Sequence, residues 1–294
     1  MKRGVKSIAI LAVLTAFWTS GCLEVADVPV FWQVEEEDLV LEEQGLKSVK
    51  ADTLRGEITI SPMEEATCPK VRVVKKAGAT SVEQAAICLD AIKIISKNDN
   101  GVQKIAWGGS PINRPGWKPS VSFQIQLPPG LALTATTKEG DVALSDMTSS
   151  CTLRTDNGSI KIRSHTSQLD AETKNGNISA ECASAKIRLA SANGIIWANL
   201  STPRSINGKI TAENGDIFLR FDEQASAQLI CIAENGTVDA AGPFSPAPSA
   251  EEGGPKAGQA FEATVREAGR LEGKLRAGKG KLEVKATNGS ITLK

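Results

Sequence analysis

The chain has 294 residues, with 34 lysines and arginines balanced by 34 aspartates and glutamates, one histidine and no tyrosine. Balanced charge gives no net attraction to nucleic acid, which argues against a nucleic-acid partner. A lone histidine and the lack of a Cys-x-x-Cys pair argue against the common zinc sites, so neither metal nor cofactor is expected.

Residues 1–21 open with Lys2, Arg3 and Lys6, continue through an apolar run from Ser7 to Trp18, and reach small residues just before Cys22. This is the pattern of an export signal peptide, too short to span a membrane as a helix. Thr19-Ser20-Gly21-Cys22 resembles the lipobox of bacterial lipoproteins, although Thr19 stands where that pattern prefers Leu. The resemblance implies lipidation of Cys22, a membrane partner through that lipid, and a place in the bacterial cell envelope. Leu23 after the cysteine, rather than Asp, implies the outer membrane where one exists. Residues 22–46, with Glu35-Glu36-Glu37-Asp38, Glu42 and Glu43, read as an acidic, solvated linker.

Residues 47–130 read as a first coil and a helix-containing cap. Val49, Ala51 and Thr53 alternate before Arg55-Gly56, and Ile58 and Ile60 follow it, which is strand alternation on both sides of a turn. Val71 and Val73 then suggest a strand. Ser81-Val82-Glu83-Gln84 is a capping-box signature for a short helix running to about Ile92, with Ala85, Cys88, Leu89 and Ile92 on one side. A strand near Lys104 to Trp107, a Pro- and Gly-rich loop and the alternating Val121, Phe123, Ile125 and Leu127 complete the segment. A solenoid needs such a cap, because an open end exposes core and strand edges.

Residues 131–294 carry the repeat. Glu139-Gly140, Asn157-Gly158, Asn175-Gly176 and Asn193-Gly194 are 18 residues apart, and Asn214-Gly215, Asn235-Gly236 and Asn288-Gly289 continue the series. Val142, Ile160, Ile178, Ile196, Ile217, Val238 and Ile291 follow these glycines at one fixed offset, while pairs such as Cys151/Leu153, Leu169/Ala171 and Ile187/Leu189 alternate ahead of them. The spacing predicts an all-β fold: a β-solenoid of coils of about 18–21 residues, two main strands per coil, stacked at roughly 4.8 Å. A string of hairpins in a sandwich is the competing reading, which so constant a phase disfavours. The asparagines before the glycines should tolerate a left-handed turn and bond up and down as a ladder. Residues 241–259 form a Pro- and Gly-rich insertion; Phe261, Ala263 and Val265 resume a strand, and Gly273 with Leu275 marks a weaker coil start.

No catalytic residue stands out. His165 follows Ile162 in a turn, without a Cys or Ser motif near it, and reads as a solvated loop histidine. Asp141 and Asp216 fall four coils apart, about 20 Å, whereas glycoside cleavage needs its carboxylates within about 10 Å. Asp170 and Glu172 point outward from one strand and read as surface charges. Cys151, Cys182 and Cys231 take inward positions, leaving Cys68 and Cys88 as the candidate disulfide of an oxidising compartment. More informative are Ile195, Trp197 and Phe218: apolar residues on an outward face, with Trp197 and Phe218 on adjacent coils, form a candidate binding patch. A competing reading makes the 241–272 insertion, with Phe244 and Phe261, a lid over one face.

The lipobox, the capped N-terminal segment ending in Leu127-Pro128-Pro129-Gly130 and the successive Asn-Gly coils together resemble the bacterial family named putative adhesins, over roughly residues 47–294. The resemblance implies a β-solenoid of the cell envelope acting as a non-catalytic, adhesin-like binding protein, with a glycan or an envelope protein as partner. The alternatives are a β-helix carbohydrate-active enzyme, a polysaccharide lyase or glycosidase, and a structural or sensory envelope scaffold.

Overall fold

The computed structural model describes residues 3–8, 31–42, 44–63, 68–108, 114–201, 205–222, 225–240, 261–267, 269–276 and 278–294. In chain order the N-terminal part comprises β1 (Arg3–Ile8), β2 (Phe31–Val40), β3 (Ser48–Arg55), β4 (Ile58–Pro62), β5 (Lys70–Ala79), α1 (Val82–Ala91), β6 (Lys93–Asp99), β7 (Val102–Gly108) and β8 (Lys118–Leu127). Coils follow as strand pairs: β9 (Ala132–Glu139) with β10 (Val142–Ser145), β11 (Cys151–Asn157) with β12 (Ile160–His165), β13 (Leu169–Asn175) with β14 (Ile178–Cys182), β15 (Lys186–Asn193) with β16 (Ile196–Leu200), and β17 (Asn207–Asn214) with β18 (Ile217–Phe221). The chain ends with β19 (Ala227–Ala233), β20 (Val238–Ala240), β21 (Phe261–Glu267), β22 (Arg270–Leu275), β23 (Lys281–Asn288) and β24 (Ile291–Leu293).

Among the described residues these strands form two twelve-stranded sheets, here sheet A and sheet B. The first strand of each coil lies in sheet B and the second in sheet A, so the turn glycine is a corner between sheets and like strands of successive coils pair in parallel. Period-two alternation then sends one set of side chains into the space between the sheets. Val142, Ile160, Ile178, Ile196, Ile217 and Ile291 occupy matching positions on successive strands of sheet A, all 0–1% exposed. Each such aliphatic contributes roughly 1.5–3 kcal/mol by leaving water.

The corners are held by three ladders. Asn175 Nδ2 donates to Asn157 Oδ1 at 2.8 Å, Asn193 to Asn175 at 2.8 Å and Asn214 to Asn193 at 2.9 Å. These asparagines end their strands without positive φ, so they serve as ladder rungs and the left-handed backbone belongs to the glycines alone. Inside the corner, Thr155, Thr173 and Ser191 donate to the carbonyls of Gly140, Gly158 and Gly176 at 2.8, 2.8 and 3.0 Å. On the outside, the residue after the glycine accepts from the next coil's backbone: Ser159 N–H to Asp141 Oδ1 at 2.7 Å, Ile195 N–H to Asn177 Oδ1 at 2.8 Å, Ser290 N–H to Asp216 Oδ1 at 2.8 Å.

Coil order in space departs from coil order in sequence at both ends. The β3–β4 coil sits between the β7–β8 pair and the β9–β10 coil, and the last coil, β23–β24, sits between β17–β18 and β19–β20. Cys151 and Cys231 are therefore separated by one more coil than chain order implies. Antiparallel strands close the stack: β5 and β2 beyond β8 in sheet A, β6 beyond β7 in sheet B, and β22 with β21 beyond β19. The segment expected to begin a coil at Gly273 is thus an antiparallel closing strand, because it reverses against β19.

The expected helix forms as α1. Ser81 Oγ accepts the Gln84 N–H at 3.2 Å, while the Gln84 side chain accepts from Thr80 at 2.7 Å, and Ala85, Cys88 and Leu89 are buried against β5 and β2. The acidic stretch is no solvated linker between residues 31 and 40. It is β2, seated antiparallel on the basic strand β5, where Lys75 meets Glu35 at 2.8 Å and Glu37 at 3.7 Å, and Arg72 meets Asp38 at 3.1 Å. The Arg3–Ile8 portion of the expected leader pairs antiparallel with the outer edge of β2. Cys22 lies outside the described residues.

Candidate surface groove

Parallel register turns a sequence offset into a row across the sheet, so residues at equal distance from successive corners stand side by side. On the outward face of sheet A, Ser179, Trp197, Phe218 and Thr292 form one such row. The Trp197 and Phe218 rings lie within 13° of parallel with centroids 6.1 Å apart, and Trp197 is 42% exposed. A second row, two residues further along each strand, holds Glu181, Asn199 and Arg220, with Lys294 continuing it beyond β24. Together they line a shallow groove of about 440 Å³. The second row was readable beforehand, since each member stands five residues after a corner glycine, but polar residues on a solenoid face carry no apolar signal to single them out.

Trp197 and Phe218 are thus brought together as expected. Ile195 is half-buried in the corner row between Asn177 and Asp216 and does not line the groove. Residues 241–260, with Phe244, fall outside the described residues. The described part of the expected lid, β21 and β22, extends sheet B edge-on beyond β19. It joins the sheet opposite to the one that carries the groove.

Other candidate residues take structural places. Cys68 and Cys88 are free thiols, Cys68 exposed and Cys88 buried on α1. The intervening strand β5 separates them by its length, roughly 30 Å at strand rise, and α1 returns only about 10 Å before Cys88, well short of disulfide reach. Burial pushes the thiols of Cys151 and Cys182 up to about 11 and that of Cys231 to about 12, so all three are protonated core groups.

His165 is buried, contrary to the solvated position expected for it. A bulge between Ile162 and His165, with Ser164 at φ 51, turns its ring inward opposite Cys182, where Nε2 lies 3.2 Å from the Gln168 carbonyl oxygen. Burial lowers its pKa from the usual histidine value. Asp170 and Glu172 belong to a network on the outer face of sheet B, with Arg154 at 3.3 and 2.8 Å and Arg188 at 2.8 and 3.0 Å. Hydrogen bonding from Arg188 holds Glu172 below the ordinary carboxylate value. Among the described residues no cluster of three or more His, Cys, Asp or Glu is placed to hold a metal ion.

A capped stack of parallel coils, closed by antiparallel strands and bearing a ring-lined groove on one face, defines a two-sheet β-solenoid. The chain belongs to the family described as Toastrack DUF4097, whose profile matches residues 36–239, a span that begins within the acidic strand β2. Solved structures with a similar fold include a putative adhesin from Bacteroides fragilis at 12% identity, covering 89% of this chain and 97% of that chain with a TM-score of 0.40. A putative adhesin from Parabacteroides distasonis is also 12% identical, covering 89% and 97% with a TM-score of 0.39. A putative cell adhesion protein from Clostridium sporogenes is 12% identical, covering 88% and 98% with a TM-score of 0.35. No curated protein matches this chain.

Proposed function

We propose that this protein is a lipid-anchored, non-catalytic binding protein of the bacterial cell envelope, adhesin-like, which holds a glycan or an envelope protein on the outward face of sheet A. Residues 1–21 act as the export signal and Cys22 carries the lipid, in the outer membrane where the bacterium has one. The observation that carries the reading is the near-parallel Trp197–Phe218 pair that lines a groove. Covering exposed aromatic surface contributes roughly 1.5–3 kcal/mol per side chain, and flat rings offer that gain at low entropic cost. The non-catalytic part draws support from the corner aspartates: Asp141 and Asp216 spend their carboxylates on backbone amides and stand four coils apart.

The test compares the parent domain with a Trp197→Ala/Phe218→Ala double variant in capture of envelope material, with far-UV circular dichroism as the fold control. Capture that depends on the two rings supports the reading, and equal capture by a folded double variant overturns the assignment of the site. Anchoring is tested separately, by labelled fatty acid incorporation into the full chain and its loss in Cys22→Ala.

A further inference from the structure

Several cations on the outer face of sheet B are engaged: Arg154 and Arg188 with Asp170 and Glu172, Lys281 with Glu283, Lys285 with Glu234. At the groove, no hydrogen bond or ion pair with the described residues occupies the side chains of Arg220, Lys294, Asn199 or Glu181. These four stand in register beside the Trp197–Phe218 row, with the cations toward the last coil and Glu181 toward the middle of the stack.

We propose that this groove binds an acidic saccharide, a deepening that rests on the reading of the Trp197–Phe218 face as the binding surface. The C–H face of a sugar ring lies on Trp197 and Phe218, its carboxylate meets Arg220 and Lys294, and its hydroxyls bond to Asn199 and Glu181. Arg220 supplies the directional contact, because a planar guanidinium matches a carboxylate bidentately. A groove of about 440 Å³ lies within the roughly 300–1,000 Å³ range of small-molecule sites, so it takes a short saccharide unit. Glu181 in the same row offers acceptor oxygens that suit sugar hydroxyls.

Isothermal titration calorimetry with trigalacturonic acid and its methyl ester tests this, since the ester keeps the ring and hydroxyls and removes the charge. The parent is expected to bind the acid at least tenfold more tightly than the ester. Arg220→Gln should cut that preference several-fold through weaker binding of the acid, and Trp197→Ala/Phe218→Ala should weaken both ligands. Equal affinity of the parent for acid and ester, or a preference unchanged in Arg220→Gln, overturns the acidic class. Failure of both saccharides to bind, alongside ring-dependent capture of envelope material, overturns the saccharide and leaves the binding surface standing. If capture is also independent of the rings, the surface itself is overturned.

Discussion

Asn214 Oδ1 accepts a hydrogen bond from Asn288 Nδ2 at 2.8 Å, across 74 positions of sequence. Asn235, which follows Asn214 in the chain's series of corners, reaches Asn288 instead, at 2.9 Å. The last coil thus occupies the place that chain order gives to β19–β20. Every coil offers the same columns and the same corner, so the stack accepts a coil from elsewhere in the chain without a change of core chemistry.

Cross-linking tests that order directly. Lys209 and Glu283 are register partners on the outward face of β17 and β23, and Ile230 is the partner of Glu283 on the far side. In a Cys68→Ser background, Lys209→Cys/Glu283→Cys is expected to form a disulfide on mild oxidation, since neighbouring strands lie within the ~4.4–6.8 Å Cα window. Lys209→Cys/Ile230→Cys should stay reduced, because two strand spacings put about 9–10 Å between the Cα atoms. Non-reducing electrophoresis with peptide mapping reads the result; the reverse pattern would mean that coils stack in chain order.

Much of this architecture was legible because one offset repeats. The glycine phase located the corners, and the residues at fixed distance from them supplied the columns and placed Trp197 beside Phe218. What stayed hidden was non-local. Interchangeable coils give no clue to which of them are neighbours, so the displaced coils at the two ends could not be read. The acidic run looked solvated because its basic partner β5 lies some 40 positions away, as in the Glu35–Lys75 pair. A one-residue irregularity hid His165: the bulge after Ile162 reverses the inward and outward faces, which simple alternation places outside.

The glycine corners should tolerate no Cβ. A methyl group at Gly176, where φ is +157, would stand 2.0 Å from the Gly158 carbonyl oxygen, and that oxygen belongs to a backbone fixed by its own neighbours. Gly176→Ala is expected to cost about 3 kcal/mol or more, from overpacking together with a backbone conformation unsuited to alanine. Gly130, with nothing within 4 Å, supplies the control, and Gly130→Ala should be close to neutral. Urea unfolding followed by circular dichroism measures both.

The inner hydroxyl ladder should matter more than its size suggests. Thr155 is 3% exposed and donates to the Gly140 carbonyl at 2.8 Å. Thr155→Val preserves shape and β-propensity while leaving that acceptor without its hydroxyl donor, at an expected cost of about 1–2 kcal/mol. Thr155→Ser should recover most of the loss. A valine variant as stable as the parent in urea would show that the carbonyl needs no such donor.

Acid should weaken the fold in two steps, each with its own variant. Burial holds the pKa of His165 below its ordinary 6.5, so as pH falls through 6.5 the unfolded chain takes a proton that the folded chain still refuses. Stability is then fully present above 6.5 and declines from there toward the lower folded value, after which this contribution is flat. Glu172 behaves alike at lower pH: the Arg188 hydrogen bond, reinforced by the charges of Arg188 and Arg154, holds its pKa below 4.5. Its stabilisation is present above 4.5 and is lost as pH falls through the folded value. Urea midpoints measured from pH 8 to pH 3 should show both declines. His165→Leu should flatten the first and spare the second, whereas Glu172→Gln should spare the first and lessen the second, since hydrogen bonds from Lys285 and Lys281 also hold Glu234 and Glu283 below 4.5. A parent whose stability does not change between pH 7.5 and 5.5 would show that His165 is protonated as readily in the folded chain as in the unfolded one.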